Sequence, residues 1–420
     1  RSRGLGDVYK RQIHEGTTSL MAAHRSLWNE LWESDILIEG DDEAQRAVRF
    51  ALFNLYSSCR EGSGLSISPM GLSSQGYNGH IFWDSELWMF PPMLLLNKGI
   101  AESMIDYRID RLMAARKKAM AYGFKGAMFP WESDDYGEES TPTFALTGPL
   151  EHHITADISI ACWNYYCLTR DGQWLRAKAF PLMKAVADFW VSRVTRNDDG
   201  SYSICNVVGA DEYANGVDDN AFTNGAAIRA LEYACEAAKI CNESVPEIWE
   251  EVGRGIRILR FKDGVTREHA TYNGEMIKQA DVNLLGYPLY FVGDAESQKK
   301  DMEYYVDKID PQNGPAMSYS VFCVQYARMR DAKRAYEMFC RCYQPNLRAP
   351  FGVLAETPTS DNPYFMTGAG GLLQAVINGF CGLQITDGGV EQLSSVLPAH
   401  WKKVTVKGVG PEKKMYVRER

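Results

Sequence analysis

The sequence predicts an all-α dominated fold, in which helices pack on helices in a barrel-like pair of layers before a short β segment. Two observations lead to this prediction. Apolar side chains recur at helical spacing through most of the chain, whereas stretches rich in Val, Ile and Thr are confined to 382–388 and 403–418. Amphipathic helices that have no sheet to cover bury their apolar stripes against one another.

The helical pattern is clearest in 101–122. There Ile105, Ile109, Leu112 and Ala119 follow one another at spacings of three, four and seven residues, with basic side chains between them. Similar stripes predict helices in 43–58, 154–168, 181–193, 220–239, 246–260, 296–306, 315–328, 331–345 and 367–379. We therefore expect about ten to twelve helices.

Long polar and aromatic loops separate these helices. They lie at 72–86, 124–152, 203–219, 262–282 and 347–366. Loops of this length in a compact domain are usually functional, because a rigid scaffold can hold binding residues on them. The functional residues are therefore expected in these five loops.

Composition narrows the classes of function. The chain of 420 residues has a net charge of −9 and scattered basic residues, which argues against nucleic acid because its binders need a basic face. No apolar run reaches the roughly 18 to 20 residues that cross a bilayer, so no membrane contact is predicted.

The ten cysteines form no C-x-x-C pair and are interpreted as small buried side chains. Ten Trp and 22 Tyr favour carbohydrate, whose C–H faces stack on aromatic rings.

The loop 203–219 supplies a candidate acid, Glu212. Glycoside hydrolysis needs two carboxyl groups at the scissile bond, and the acid must be protonated, which burial or nearby negative charge favours. Glu212 stands among three aspartates, and its loop contains no Lys or Arg that would hold it ionised. A calcium loop starting at Asp211 is excluded, because its third and twelfth positions are Tyr213 and Phe222. A solvated acidic loop is the remaining alternative.

The second candidate carboxylate is Glu356. No Lys or Arg occurs from Ala349 to Trp401, and the nearby TGAGGLLQ stretch indicates a close backbone approach before a helix. A carboxylate here is suited to orient a water molecule on the far side of a sugar ring. The alternative is an ordinary acidic side chain on a loop.

Other loops place a tryptophan beside an acid, which suits a sugar because the ring stacks while its hydroxyls donate to the carboxylate. With a further polar pair in EMIKQADV, the predicted substrate-binding residues are Trp83, Asp84, Trp131, Glu132, Tyr213, Lys278 and Gln279. The EHH at 151–153 lacks the H-E-x-x-H spacing of a metal site, so a helix start or a sugar contact is favoured there. No metal and no cofactor are predicted.

These stretches occur together in one known family. The segments GYNGHIFWDSE, YRIDRLMAARKKA, GAMFPWES, EHHITADI, GADEYANGVDDNAFTN, IKQADV and GAGGLLQAVINGF, in this order, resemble glycoside hydrolase family 65. That family contains phosphorylases and hydrolases of α-glucosides such as maltose, trehalose, kojibiose and nigerose. The resemblance implies an (α/α)6 barrel and a small C-terminal β element.

The resemblance also divides the chain into parts. It implies a helical linker at 13–65, the catalytic (α/α)6 barrel at 66–380 and a C-terminal β segment at 381–420. Residues 1–12 are basic and aperiodic, and are interpreted as a non-native extension. The β-sandwich that precedes the linker in the family is expected to be absent.

The resemblance implies a role for each candidate. The general acid of the family's D-E-Y segment falls on Glu212, and the general base of the family's hydrolases falls on Glu356. The pairs in FWD, PWE and KQ line the pocket for the transferred glucose. These roles predict an inverting α-glucosidase, in which Glu212 protonates the glycosidic oxygen and Glu356 activates water.

Two alternatives remain open: an inverting disaccharide phosphorylase that releases β-glucose 1-phosphate, and a non-catalytic sugar-binding barrel. Phosphate is disfavoured, because the stretch that begins at Ala349 carries Glu356 and Asp361 without a cation and repels it. Two like charges about 4 Å apart cost roughly 4 kcal/mol at an effective dielectric of 20. The sugar-binding barrel is disfavoured because both carboxylates are present.

The expected partner is an α-glucoside disaccharide or a short oligosaccharide. The WNYYCLTRDGQW and ADEYANGVDDN regions resemble family members that act on α-1,2-linked glucose, as in kojibiose. A homodimer is one assembly considered, and a periplasmic location in a bacterium is favoured over a cytoplasmic one.

Overall fold

The computed structural model describes residues 4–291 and 294–420, and helices dominate this part of the chain. Its α-helices are α1 (Gly4–Leu31), α2 (Asp42–Ser58), α3 (Phe90–Leu96), α4 (Lys98–Asp110), α5 (Leu112–Ala121), α6 (Thr147–Leu150), α7 (His153–Thr169), α8 (Gly172–Trp174), α9 (Phe180–Arg193), α10 (Ala221–Cys241), α11 (Glu247–Gly255), α12 (Ala295–Tyr305), α13 (Ser318–Arg328), α14 (Ala332–Arg341) and α15 (Met366–Gln374). The prediction of an all-α dominated fold is confirmed.

The predicted helices correspond to α2, α4, α5, α7 and α9 to α15, with differences at their ends. The stripe in 101–122 is two helices, because the backbone leaves helical geometry at Arg111 (φ −102°, ψ 10°). The stripe in 246–260 ends early, at Gly255, where Ile256 pairs with Tyr202 instead. The short helices α3, α6 and α8 were not predicted. In α3 the sequence FPPMLLL is an uninterrupted apolar run, which has no helical period to recognise.

Local sequence explains several helix starts. Asp41 accepts a hydrogen bond from the Ala44 N–H before α2, and Asn220 accepts one from the Thr223 N–H before α10. Such side chains satisfy backbone donors that have no partner in the first helical turn. In the described ranges, no helix combines the length and the apolar character needed to cross a membrane.

The N-terminal region differs from a purely helical linker. Of the predicted extension 1–12, residues 1–3 lie outside the described part of the chain, and the rest belongs to α1. The predicted linker 13–65 contains α2 but also a strand, β1 (Asp35–Glu39). Its partner is distant in sequence, because Ile36 pairs antiparallel with Val406.

Strands are short and mostly late in the chain. They are β2 (Thr195–Arg196), β3 (Tyr202–Ser203), β4 (Leu347–Arg348), β5 (Val353–Leu354), β6 (Leu383–Thr386), β7 (Gly389–Gln392), β8 (Lys403–Val409) and β9 (Lys414–Glu419). The order in the largest sheet is β1-β8-β9, and β6 forms a hairpin with β7. The boundaries of the predicted domains remain predictions.

The core lies between the helices. Helix α10 packs on α7 and α9, α13 packs on α14, and α15 packs on α2. Helix α15 also lies against a π-helical turn, Asp84–Met89, and a β carbon at Gly370 would approach the Trp88 carbonyl oxygen to 2.5 Å. The close backbone approach expected from TGAGGLLQ is therefore present, but inside a helix. This contact holds Asp84 and Thr367 next to each other.

Candidate active site

One cavity of about 370 Å³ collects almost all the predicted site residues. Its lining includes Trp83, Asp84, Trp131, Glu132, Glu212, Lys278, Gln279 and Glu356. These residues come from all five of the loops that were expected to carry function. Residues up to 273 positions apart in the sequence therefore meet in one place, since Trp83 and Glu356 share the lining.

Two of the loops are joined by a pair of backbone hydrogen bonds. Ile81 and Ser133 exchange N–H to carbonyl bonds of 2.9 Å each, as in an antiparallel sheet. This pairing sets the two tryptophan–acid motifs side by side, and the ring centroids of Trp83 and Trp131 are 6.2 Å apart. The two motifs therefore form one wall of the cavity.

Two buried carboxyl groups lie in that wall. Asp84 accepts a hydrogen bond from the Thr367 hydroxyl, and burial raises the pKa of Asp84 to about 7. The charges of Glu356 and Glu212 raise it further, so the three carboxylates are near enough to interact. Glu132 lies 3.0 Å from Nδ1 of His80, and burial raises its pKa as well. Both acids line the cavity, where their carboxylate oxygens can accept hydrogen bonds.

Glu212 is paired with a cation. Its Oε2 lies 2.8 Å from Nζ of Lys278, which comes from a different loop. The buried carboxylate of Asp211 accepts the N–H of Lys278 at 2.6 Å and that of Tyr213 at 3.2 Å, and so ties the two loops together. The expectation of an acid without a nearby cation was therefore wrong, because it considered only the residues of the loop itself.

Glu356 is held by neutral hydrogen-bond donors. The Tyr77 hydroxyl lies 2.8 Å from each carboxylate oxygen of Glu356, and Nδ2 of Asn362 donates to Oε2 at 3.3 Å. Tyr77 and Asn78 both have a positive φ, 56° and 53°, which few residues other than glycine adopt. This strained turn presents the tyrosine hydroxyl to the carboxylate.

Gln279 has a free donor in the cavity. The residue is buried, and its Nε2 has no hydrogen-bond partner among the described residues. An unpaired buried amide is costly, which indicates that a ligand or water group completes it.

The histidine of the EHH stretch lies behind the tryptophans, at the start of α7. The His153 ring lies 3.0 Å from Glu151 and 2.8 Å from Asp157, and its centroid is 4.8 Å from that of Trp83. Burial disfavours a charge there, but the carboxylates of Asp157 and Glu151 outweigh it and raise the pKa of His153 to about 10. His153 is thus the helix start that was expected, and it supports the wall of the cavity.

Tyr213 is the predicted residue that does not belong to this lining. Its side chain is exposed, and its hydroxyl donates to Oδ2 of Asp310 at 3.0 Å. In contrast, Tyr77, Asn78 and Phe144 line the cavity and were not predicted. Tyr77 and Asn78 belong to the GYNGHIFWD motif, so the motif was recognised but these two residues of it were not predicted to line the site.

In the described ranges, no group of three or more His, Cys, Asp and Glu side chains is arranged to hold a metal ion.

Comparisons with known proteins bear on the family of this chain. The model of the glycosyl hydrolase family 65 central catalytic domain matches residues 49–257. The kojibiose hydrolase of Flavobacterium johnsoniae is 53% identical over 404 residues, which cover 96% of this chain and 59% of that protein. The protein-glucosylgalactosylhydroxylysine glucosidase of Dictyostelium discoideum is 41% identical over 92% of this chain and 55% of its own length. The chain therefore spans less than two thirds of the relatives it matches.

The fold also has a counterpart among solved structures. A protein from the human microbiome, assigned as a kojibiose phosphorylase, superposes with a TM-score of 0.82 at 20% identity, over 98% of this chain and 62% of that one. This likeness confirms the predicted (α/α)6 fold. On its sequence, its fold and its cavity, the chain belongs to glycosyl hydrolase family 65.

Proposed function

We propose that this chain is the catalytic part of an inverting α-glucosidase that hydrolyses an α-1,2-linked glucosyl residue from a disaccharide or a short glycan. The names of the relatives support this proposal, because two bacterial proteins at 53% identity are kojibiose hydrolases. Glucosylgalactosylhydroxylysine glucosidases at 41% and 35% identity support an α-glucoside as the substrate class.

Glucose binds in the depth of the cavity. Trp83 and Trp131 offer aromatic surface for its C–H groups, and the carboxyl groups of Asp84 and Glu132 accept from its hydroxyls. The unpaired Nε2 of Gln279 donates to a further hydroxyl oxygen. These contacts fix the sugar ring so that C1 faces both catalytic carboxyl groups.

Glu212 then protonates the glycosidic oxygen as the bond to C1 breaks. In the free site the Lys278 ammonium lies 2.8 Å from Oε2 of Glu212. In the complex a hydroxyl oxygen of bound glucose accepts a hydrogen bond from this ammonium. General acid catalysis of this kind contributes about 10²- to 10⁴-fold to the rate.

Glu356 draws a proton from the water that attacks C1 from the opposite side. The observation that carries the proposal is its setting: neutral donors, Tyr77 and Asn362, orient the carboxylate but leave it free to accept a proton. Lys278 is the one cation in the described lining and is already paired with Glu212. A phosphate dianion would find little positive charge here, which supports a hydrolase over a phosphorylase.

The test is glucose release from kojibiose, with and without inorganic phosphate, with the anomer followed by NMR at early times. We expect β-glucose at the same rate in both conditions. Glucose 1-phosphate formed only with phosphate would contradict the proposal and make the protein a phosphorylase. Binding of kojibiose without any turnover would make it a sugar-binding barrel.

A further inference from the structure

One large aromatic side chain at the cavity is exposed to solvent. Phe144 is 86% exposed, the largest exposed fraction among the large apolar side chains of the described ranges. It also lines the same cavity as Glu212 and Glu356. A single exposed apolar residue is ordinary on a protein surface, but one at the mouth of a sugar-sized cavity is available to a ligand.

The segment that carries Phe144 is firmly anchored. The carboxylate of Glu139 accepts the backbone N–H groups of Trp131 at 2.9 Å and Glu132 at 3.2 Å, and the Thr141 hydroxyl at 2.6 Å. Lys118 of α5 forms an ion pair with the same carboxylate. Ala145 closes a turn around Phe144 through an N–H bond of 2.9 Å to the Pro142 carbonyl oxygen.

This anchoring links the mouth of the cavity to its floor. Glu139 binds the backbone of the same two residues, Trp131 and Glu132, that hold glucose in the proposed function. The position of Phe144 relative to the glucose pocket is therefore fixed by a few short hydrogen bonds. A ring that is held in place loses little freedom when a ligand stacks on it.

The exposed fractions of the side chains indicate their order from the floor of the cavity to its mouth. Asp84 and Glu132 are buried, the Glu212 side chain is 27% exposed, and Phe144 is almost fully exposed. Glucose at the floor therefore directs the bond to be cleaved outward, past the acid and toward Phe144. The group on the far side of that bond is the one that leaves.

We propose that Phe144 is the stacking platform of a leaving-group subsite, which takes the C–H face of a pyranose attached to the transferred glucose. This inference rests on the proposed function, because it needs glucose at the floor of the cavity. It places the leaving sugar of that function against an aromatic side chain. An aromatic face is suited to the C–H side of a pyranose ring.

The test compares two substrates in wild type and Phe144→Ala. Kojibiose has a sugar as its leaving group, whereas α-glucosyl fluoride loses only fluoride, which needs no proton, and therefore reports on the glucose pocket and the base. We expect Phe144→Ala to lower kcat/KM for kojibiose about tenfold, the scale of one aromatic contact, and to leave the fluoride within twofold of wild type. Phe144→Tyr should retain both activities.

Tyr136→Ala is the matched control. Tyr136 is 79% exposed and lies on the same segment, but it is not part of the cavity lining. We expect this variant to act on both substrates as wild type does. Equal losses in Tyr136→Ala and Phe144→Ala would overturn the proposal, because they would indicate a general effect on the segment.

The remaining outcomes separate the subsite from the function. If Phe144→Ala leaves kcat/KM unchanged for both substrates, or lowers it equally for both, the proposed subsite is contradicted. The proposed hydrolase function is not affected by that result. If the wild type hydrolyses neither substrate, or needs phosphate for both, the proposed hydrolase function is contradicted. The proposed leaving-group subsite is then contradicted as well, because it depends on that function.

Discussion

The Tyr77 hydroxyl donates to both carboxylate oxygens of Glu356, at 2.8 Å each. This contact joins residues 279 positions apart and is reinforced by Asn362 on one oxygen. It fixes the plane of the carboxylate that is proposed to activate water. Hydrogen bonds to a charged group contribute about 1.5–3 kcal/mol, roughly a factor of 10 to 100 in rate if the contact is lost.

Tyr77→Phe should therefore lower kcat for kojibiose by about 10- to 100-fold with little change in KM, because the glucose contacts remain. Steady-state kinetics with kojibiose measure both constants.

Tyr165→Phe is a suitable control for this change. It removes a tyrosine hydroxyl that donates to a carboxylate at the same distance, 2.8 Å to Glu102, away from the cavity. This variant should keep the wild-type kcat. A kcat for Tyr77→Phe that is also unchanged would contradict the role given to Tyr77.

Asp84→Ala tests the glucose pocket. The loss of a buried acceptor next to Thr367 allows the ring to shift, and a misplacement of about 1 Å can cost about 100-fold in rate. We expect kcat to fall on that scale for both kojibiose and α-glucosyl fluoride. Asp361→Ala removes an exposed acid from the loop of Glu356, outside the cavity, and should leave both rates unchanged. Wild-type rates in Asp84→Ala would show that the pocket is assigned to the wrong residues.

Lys278→Met tests the cation beside the acid. We expect kcat/KM for kojibiose to fall because a donor to the sugar is lost. Lys178→Met, which breaks an exposed pair with Asp106, is the control. A wild-type kcat/KM in Lys278→Met would refute the role given to this lysine.

His153→Gln tests the support behind the tryptophans. The change leaves Glu151 and Asp157 buried without their cation, a defect that typically costs about 3–5 kcal/mol. The pKa of His153 is about 10 in the folded protein, above the roughly 6.5 of an unfolded histidine. Its contribution to stability is therefore complete below about pH 6.5 and is lost as the pH rises through about 10. Urea unfolding at pH 6, 8 and 10 should show the difference from wild type shrinking with pH.

His152→Gln is the matched control, one residue away. Burial lowers the pKa of His152 to about 3, so its ring is neutral throughout this range. Its ring nitrogens bond to Arg193 at 3.0 Å and to the Pro149 carbonyl oxygen at 2.8 Å. The variant should lose stability by the same amount at each of the three pH values. A constant difference for His153→Gln as well would mean that His153 is not charged in the folded protein.

The parts of the site that are formed by adjacent residues could be predicted from the sequence. The pairs Trp83–Asp84 and Trp131–Glu132 combine a ring and an acid in adjacent positions, so their chemistry is readable from the chain alone. The helices were equally accessible where an apolar stripe had a period, as in α7 and α9.

What could not be predicted depends on contacts between distant segments. Lys278 lies 66 positions from Glu212, and Tyr77 lies 279 positions from Glu356, so neither pairing is visible in a local window. Phe144 carries no motif, and its significance comes from exposure at a cavity that exists only in the folded chain. Strand β1 is five residues long, and its partner is 370 positions away.

That strand has a consequence for the way the protein is made. A ribosome that has just released β1 must add most of the catalytic domain before β8 emerges, which takes roughly 20–70 s at 5–20 residues per second. During that time β1 presents unpaired backbone groups of the kind that recruit other strands. Completion of this sheet is therefore a late event in synthesis, and the growing chain has most need of a chaperone near its first strand.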